Sequence, residues 1–186
     1  MRVISGVAKG TKLETLETLD TRPTLDRVKE ALFNIIQSKI YNAIVLDLFA
    51  GSGALGLEAV SRGANFCDFV DINVDAINII NKNIEKCHVK EVTKVHKSDF
   101  NAIIKKFPDD RFDLVFLDPP YGKDMGILAI NKLDRIVKDT GIVILETDYT
   151  DDVPDDIGNF TKYDSRKYGR VVISFFRKAG FIDGGT

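Results

Sequence analysis

The segment Val45-Leu46-Asp47-Leu48-Phe49-Ala50-Gly51-Ser52-Gly53-Ala54-Leu55-Gly56 constrains the fold more than any other stretch of the chain. An apolar run passes directly into a glycine-rich turn and then into a helix-forming stretch, residues 55–62. Gly51 and Gly53 let the backbone approach a ligand closely, because no Cβ stands in the way. Eighteen residues after Gly53, Asp71 ends a second apolar run, Phe66-Cys67-Asp68-Phe69-Val70. An acid there can accept hydrogen bonds from both ribose hydroxyls of a nucleoside cofactor.

Strands and helices alternate through the rest. Strands are predicted near 43–48, 66–71, 92–97, 113–117 and 140–146, with closing strands near 159–166 and 170–177 that meet at Tyr168-Gly169. A first helix follows Pro23, with Thr24 as its cap and Leu25, Val28, Leu32, Ile35 and Ile36 on one face. Ala76, Ile77, Ile80 and Ile84 predict a helix over 73–86, and Leu128, Leu133, Ile136 and Val137 one over 125–138. A short helix is predicted over 102–107, and residues 2–16, broken by Gly6 and Gly10, read as a small hairpin. Such alternation gives a parallel sheet flanked by helices, with ligands at the carboxyl ends of the strands. A chain of 186 residues, 44% apolar, suits one domain: an N-terminal extension over 1–40, a core over 41–178 and a tail over 179–186.

Gly51 to Gly56 also fits the glycine pattern of dinucleotide sites, which alone is weak. Two features favour a different nucleoside ligand. Asp47, four residues before Gly51, would repel a pyrophosphate but can hold an amino group or its bridging water. Asp118-Pro119-Pro120-Tyr121, straight after the apolar run over 112–117, is not something a nicotinamide site requires. An exocyclic amine or amide is a poor nucleophile because its lone pair is delocalised. The Asp118 side chain and the Pro119 carbonyl can accept its N–H groups and turn that lone pair toward an electrophile, while Tyr121 can stack on a planar base. A plain turn after a buried strand is the competing explanation.

Together the block Asp47 to Gly56, Asp71 and the Asp-Pro-Pro-Tyr end resemble class I S-adenosylmethionine-dependent amino-methyltransferases. With Met1-Arg2-Val3-Ile4-Ser5-Gly6, the block Thr21-Arg22-Pro23-Thr24-Leu25-Asp26-Arg27 and Lys167-Tyr168-Gly169, the chain resembles the bacterial 16S rRNA (guanine(966)-N(2))-methyltransferase family over almost its whole length. Asp71 stands where that family more often has Glu, and Arg170 where a small or acidic residue is common. The resemblance implies an α/β, Rossmann-like class I methyltransferase fold with a mainly parallel seven-stranded sheet. It also implies S-adenosylmethionine as methyl donor and the N2 amine of one guanine in 16S ribosomal RNA as acceptor. Asp118, Pro119 and Tyr121 are then the catalytic candidates, and Asp47, Phe49, Ala50, Gly51, Gly53, Asp71, Ile72 and Asp99 the cofactor candidates. Asp99 would meet the adenine amine, with a helix N-cap as its ordinary alternative. Ile72 would cover an adenine face, with a place in the core as its alternative. Arg22, Thr24, Arg27, Pro120, Tyr121 and Tyr168 are the substrate candidates.

A net charge of −2 excludes a general polyanion binder held by a large positive field. Local basic runs remain: Lys162, Arg166, Lys167, Arg170, Arg177 and Lys178 near the end, and Arg2, Lys9 and Lys12 near the start. They suit either phosphate contacts or a solvated sheet edge. Cys67, Cys87, His88 and His96 form no ligand pattern, so no metal is expected. Without a long apolar run the chain is expected to be cytoplasmic and off the membrane; a monomer is expected, and the resemblance implies that it meets its RNA within an assembling or assembled small ribosomal subunit. A DNA adenine-N6 methyltransferase, a protein glutamine-N5 methyltransferase and a nucleotide-binding module without chemistry stand as alternatives.

Overall fold

The computed structural model describes residues 1–16, 23–120 and 124–180, and for 23–25 the backbone alone. Among the described residues eight strands form one sheet in the order β3-β2-β1-β4-β5-β8-β7-β6. The parallel part consists of β1 (Ile44–Leu48), β2 (Phe66–Asp71), β3 (Thr93–Lys97), β4 (Phe112–Leu117) and β5 (Val137–Asp148). Antiparallel to β5 runs β8 (Val171–Lys178), which pairs with β7 (Phe160–Tyr168), and the two-residue β6 (Asp156–Ile157) closes the edge. The expected seven strands are therefore present with one short addition.

Alternation along each strand divides the apolar residues between two faces. Leu114 and Phe116 of β4 join one core, which packs α1 (Pro23–Ile35), α2 (Ala54–Ser61) and α3 (Val74–Cys87) against the sheet. Val115 and Leu117 join the other, with α4 (Phe100–Ile104) and α5 (Met125–Ile130). Burial on both faces is why the central strands read as continuous apolar runs. In α3, Ala76, Ile80, Ile84 and Cys87 fall on the buried face, and Asn73 caps the helix by accepting the Asp75 N–H at 2.8 Å.

Three expectations need correction. The helix over 125–138 stops at Ile130, and β5 begins at Val137. Leu133, Ile136 and Val137 are fully buried as foreseen, but Leu133 and Ile136 reach the core from the turns over 131–136 and Val137 as the first residue of β5. Arg135 secures that path by donating to the Phe107 and Ile104 carbonyls, both at 2.9 Å. The first helix starts at Pro23, so Thr24 lies inside the first turn and does not cap it; proline's fixed φ suits that first position. The N-terminal hairpin consists of a turn closed by a single antiparallel bridge, Arg2 to Lys12.

That N-terminal turn is bound to α2 through one buried carboxylate. Glu58 accepts the N–H groups of Ile4 at 2.8 Å and Ser5 at 3.0 Å, and it pairs with Arg62 at 2.8 Å and Lys29 at 3.2 Å. Lys29 in turn donates to the Arg2 carbonyl at 2.6 Å. Burial pulls the Lys29 ammonium below its ordinary pKa, and the Glu58 charge opposes that pull. No described helix is long and apolar enough to cross a membrane.

Candidate active site

Parallel pairing brings the carboxyl ends of β1, β2 and β4 to one edge of the sheet. Leu48 of β1 lies beside Val70 of β2 and Leu117 of β4. Asp47, Asp71 and Asp118 consequently lie near that edge, close enough for the charges of Asp71 and Asp118 to act on Asp47.

Asp47 is buried, and its Oδ2 accepts the Gly56 N–H at 2.9 Å. Loss of solvation raises its pKa to about 8; the Gly56 bond opposes the rise, and the charges of Asp118 and Asp71 add to it. Asp118 has a solvent-exposed face, yet protein crowds the rest of the residue and pushes its pKa up to about 6 by desolvation. Water at the exposed face screens that carboxylate, so its preference for the neutral form is the weaker of the two.

Asp71 spans the glycine turn. Its Oδ2 accepts the Gly51 N–H at 2.9 Å and its Oδ1 the Asn73 N–H at 2.8 Å. Phe49 and Ala50 donate their N–H groups to the Val70 carbonyl at 3.1 and 2.9 Å. The turn needs left-handed backbone at Phe49 (φ 79°), Gly51 (φ 55°) and Gly53 (φ 76°). For a phenylalanine this costs about 1–3 kcal/mol, the kind of strain found at ligand sites. Its ring packs on Phe100, with centroids 5.4 Å apart.

Asp99 is exposed and caps α4, accepting the Asn101 N–H at 2.8 Å. Ile72 is 67% exposed beside Asp71, which rules out a place in the core and leaves an apolar surface next to that acid. Pro119 is buried and Pro120 exposed. Arg27 is exposed on α1, and Tyr168 is half-buried at the β7–β8 turn. Arg22 and Tyr121 lie outside the described residues, as does the Thr24 side chain.

Much of the basic run near the end of the chain is engaged by acids. Arg170 pairs with Asp148 at 3.0 Å, Arg166 with Asp164 at 3.0 Å, Lys162 with Asp155 at 2.8 Å and Lys178 with Asp139 at 3.0 Å. Sequence reasoning missed Tyr149, a half-exposed ring just past β5 with the Lys167 ammonium 4.6 Å from its centroid and Arg170 at 5.8 Å. No signal in the sequence marks it, because the contact joins two strands. Cys67 and Cys87 are both buried, and burial raises both thiols. Among the described residues no three His, Cys, Asp or Glu side chains are grouped to hold a metal.

Residues 1–177 match the family described as conserved hypothetical protein 95. The Bacillus subtilis protein YlbH is 34% identical over 186 residues, which cover 97% of this chain and 100% of that one. The ribosomal RNA small subunit methyltransferase D of Haemophilus influenzae is 36% identical over 80% of this chain and 79% of its own. The solved structure of yhhF from Escherichia coli superposes with a TM-score of 0.83 at 28% identity, covering 96% of this chain and 97% of that one. Likeness to a ribosomal protein uL3 glutamine methyltransferase of Bradyrhizobium diazoefficiens is confined to 46% of this chain and 26% of that protein. SMU.776, solved in complex with S-adenosylhomocysteine, shares the fold with a TM-score of 0.63 at 14% identity. The chain therefore belongs to the conserved hypothetical protein 95 family, the small-subunit ribosomal RNA methyltransferase family that its sequence resembles.

Proposed function

We propose that the cleft at Asp47, Asp71 and Asp118 carries out methylation of the exocyclic N2 amine of one guanine, family position 966, in 16S ribosomal RNA. The observation that carries this reading is the convergence of three carboxylates on a glycine turn, one of them followed by a Pro-Pro step. A pyrophosphate would meet only repulsion there, whereas a ligand with an ammonium and a sulfonium is attracted. S-adenosylmethionine is such a ligand, and when bound it supplies an electrophilic methyl group.

Asp47 faces the amino end of that ligand, Asp71 its ribose hydroxyls, and Ile72 and Asp99 its adenine. Gly51 and Gly53 keep the backbone low under it. Asp118 and the Pro119 carbonyl accept the two N–H groups of the guanine amine, which directs the nitrogen lone pair at the methyl carbon. The amine becomes acidic only as its new bond forms, so its proton leaves late, to Asp118 or to water. A carboxyl with a pKa of about 6 is suited to that exchange near neutral pH. A base inside a duplex has to be flipped out or already unpaired to reach the cleft.

The balance of charge favours recognition of RNA shape over a large positive field. The protein thus acts as a monomer in the cytoplasm on a small ribosomal subunit, where folded RNA presents the guanine. Arg22, Thr24, Arg27, Pro120, Tyr121 and Tyr168 are assigned to its RNA side. Glutamine methylation is the weaker reading, since that likeness covers under half of the chain. Competition calorimetry tests the cofactor half: S-adenosylhomocysteine should bind and NAD should not displace it. Displacement by NAD would overturn the assignment.

A further inference from the structure

Beside Pro119 a small cleft of about 40 Å³ opens between the end of β5, the start of α5 and the loop over 151–153. That is room for a few water-sized groups. Pro119, Met125, Leu145 and Val153 give it apolar walls, and Asp151 and Asp152 stand at its rim. The pairing of Leu117 with Leu145 sets the next steps of the two strands, Asp118-Pro119 and Glu146-Thr147, side by side.

Thr147 lines this cleft on the β5 face that also carries Val143 and Leu145. The residue is only 9% exposed, and its Oγ1 is fully buried with no hydrogen-bond partner among the described residues. An orphaned hydroxyl costs about 1–3 kcal/mol, so native chains retain one where something else will pair with it.

We propose that Thr147 reads the target base: on base entry its hydroxyl accepts the ring N1–H that adjoins the amine held by Asp118 and Pro119. The inference rests on the guanine reading above and extends it to specificity. The acidic rim excludes phosphate and favours a donor-rich edge, which selects the N1–H side of guanine over its N3 side. Adenine carries its amine at C6 and has no N1–H, so Thr147 could meet it only by donating instead of accepting. The neighbouring loop is already fixed for this purpose. The Asp148 N–H donates to Asp151 at 3.0 Å, and Asp148 accepts from the Thr150 hydroxyl at 2.8 Å and from Arg170 at 3.1 Å.

The test compares Thr147→Val, which keeps the shape and removes the hydroxyl, with Thr147→Ser, which keeps the hydroxyl. Unmethylated small subunits serve as substrate, with melting temperature and S-adenosylhomocysteine affinity measured alongside. Thr147→Val should lose about ten- to a hundredfold in kcat/KM, with unchanged cofactor affinity and a melting temperature equal to or above the parent's. Thr147→Ser should stay within about threefold of the parent. Parental kcat/KM in Thr147→Val, or an equal loss in Thr147→Ser, overturns the inference while the guanine reading stands. If the parent itself forms no methylguanosine, the guanine reading falls and the inference with it.

Discussion

The Asp47 carboxylate accepts the Gly56 N–H at 2.9 Å, so the end of β1 is tied to the first turn of α2 by an acid with no access to bulk water. A single backbone donor does not offset the lost solvation, and the pKa rises from 3.8 to about 8. In the folded protein this carboxyl holds a proton that the unfolded chain gives up. Its contribution to stability is thus complete below the unfolded value and is lost as pH climbs through about 8.

Asp47→Asn keeps an acceptor for Gly56 and removes the titration. Urea unfolding should show parent and variant alike near pH 4, with the variant gaining as pH rises, to roughly 3–5 kcal/mol by pH 8. Cofactor affinity should fall in the same variant, because the proposed ammonium of the ligand would draw the proton off the Asp47 carboxyl and pair with its charge, which an amide cannot supply. A stability difference that does not change with pH would contradict the assignment.

Gly56 packs α2 onto the sheet. A Cβ there would lie 2.4 Å from Phe69 Cε1 and 2.6 Å from Cys67 Sγ, both on fully buried side chains. Gly56→Ala should therefore cost about 1–3 kcal/mol, measured by chemical denaturation.

Glu58 holds the N-terminal turn, Lys29 and Arg62 at once. Glu58→Ala leaves a buried ammonium and two N–H groups without their partner, and should cost about 3–5 kcal/mol. Hydrogen exchange at Ile4 and Ser5 should accelerate in parallel.

Asp71 restrains the glycine turn through Gly51. Asp71→Ala should weaken S-adenosylhomocysteine binding by about ten- to a hundredfold, through the lost ribose acceptor and the freed turn. Calorimetry reads the change directly.

Central strands and the acids at their ends were legible because strands buried on both faces leave long apolar runs, with chemistry concentrated where those runs stop. Asp47, Asp71 and Asp118 could be placed for that reason. Residues 131–136 were misread because turns can bury Leu133 and Ile136 at the same spacing as a helix. At two residues, β6 carries no pattern, and Thr147 and Tyr149 matter only through neighbours on other strands. Asp99 shows how one acid fits two descriptions. Its cap on α4 is visible in the structure, and its adenine contact is part of the proposal.

The most direct test of the central claim is transfer of labelled methyl from S-adenosylmethionine to unmethylated small subunits, naked 16S RNA and DNA, followed by nucleoside analysis. The account predicts N2-methylguanosine on the subunit, at a rate that falls by about 100-fold or more in Asp118→Ala while S-adenosylhomocysteine still binds. Absence of labelled guanosine from both RNA forms, or label in DNA adenine, would contradict it.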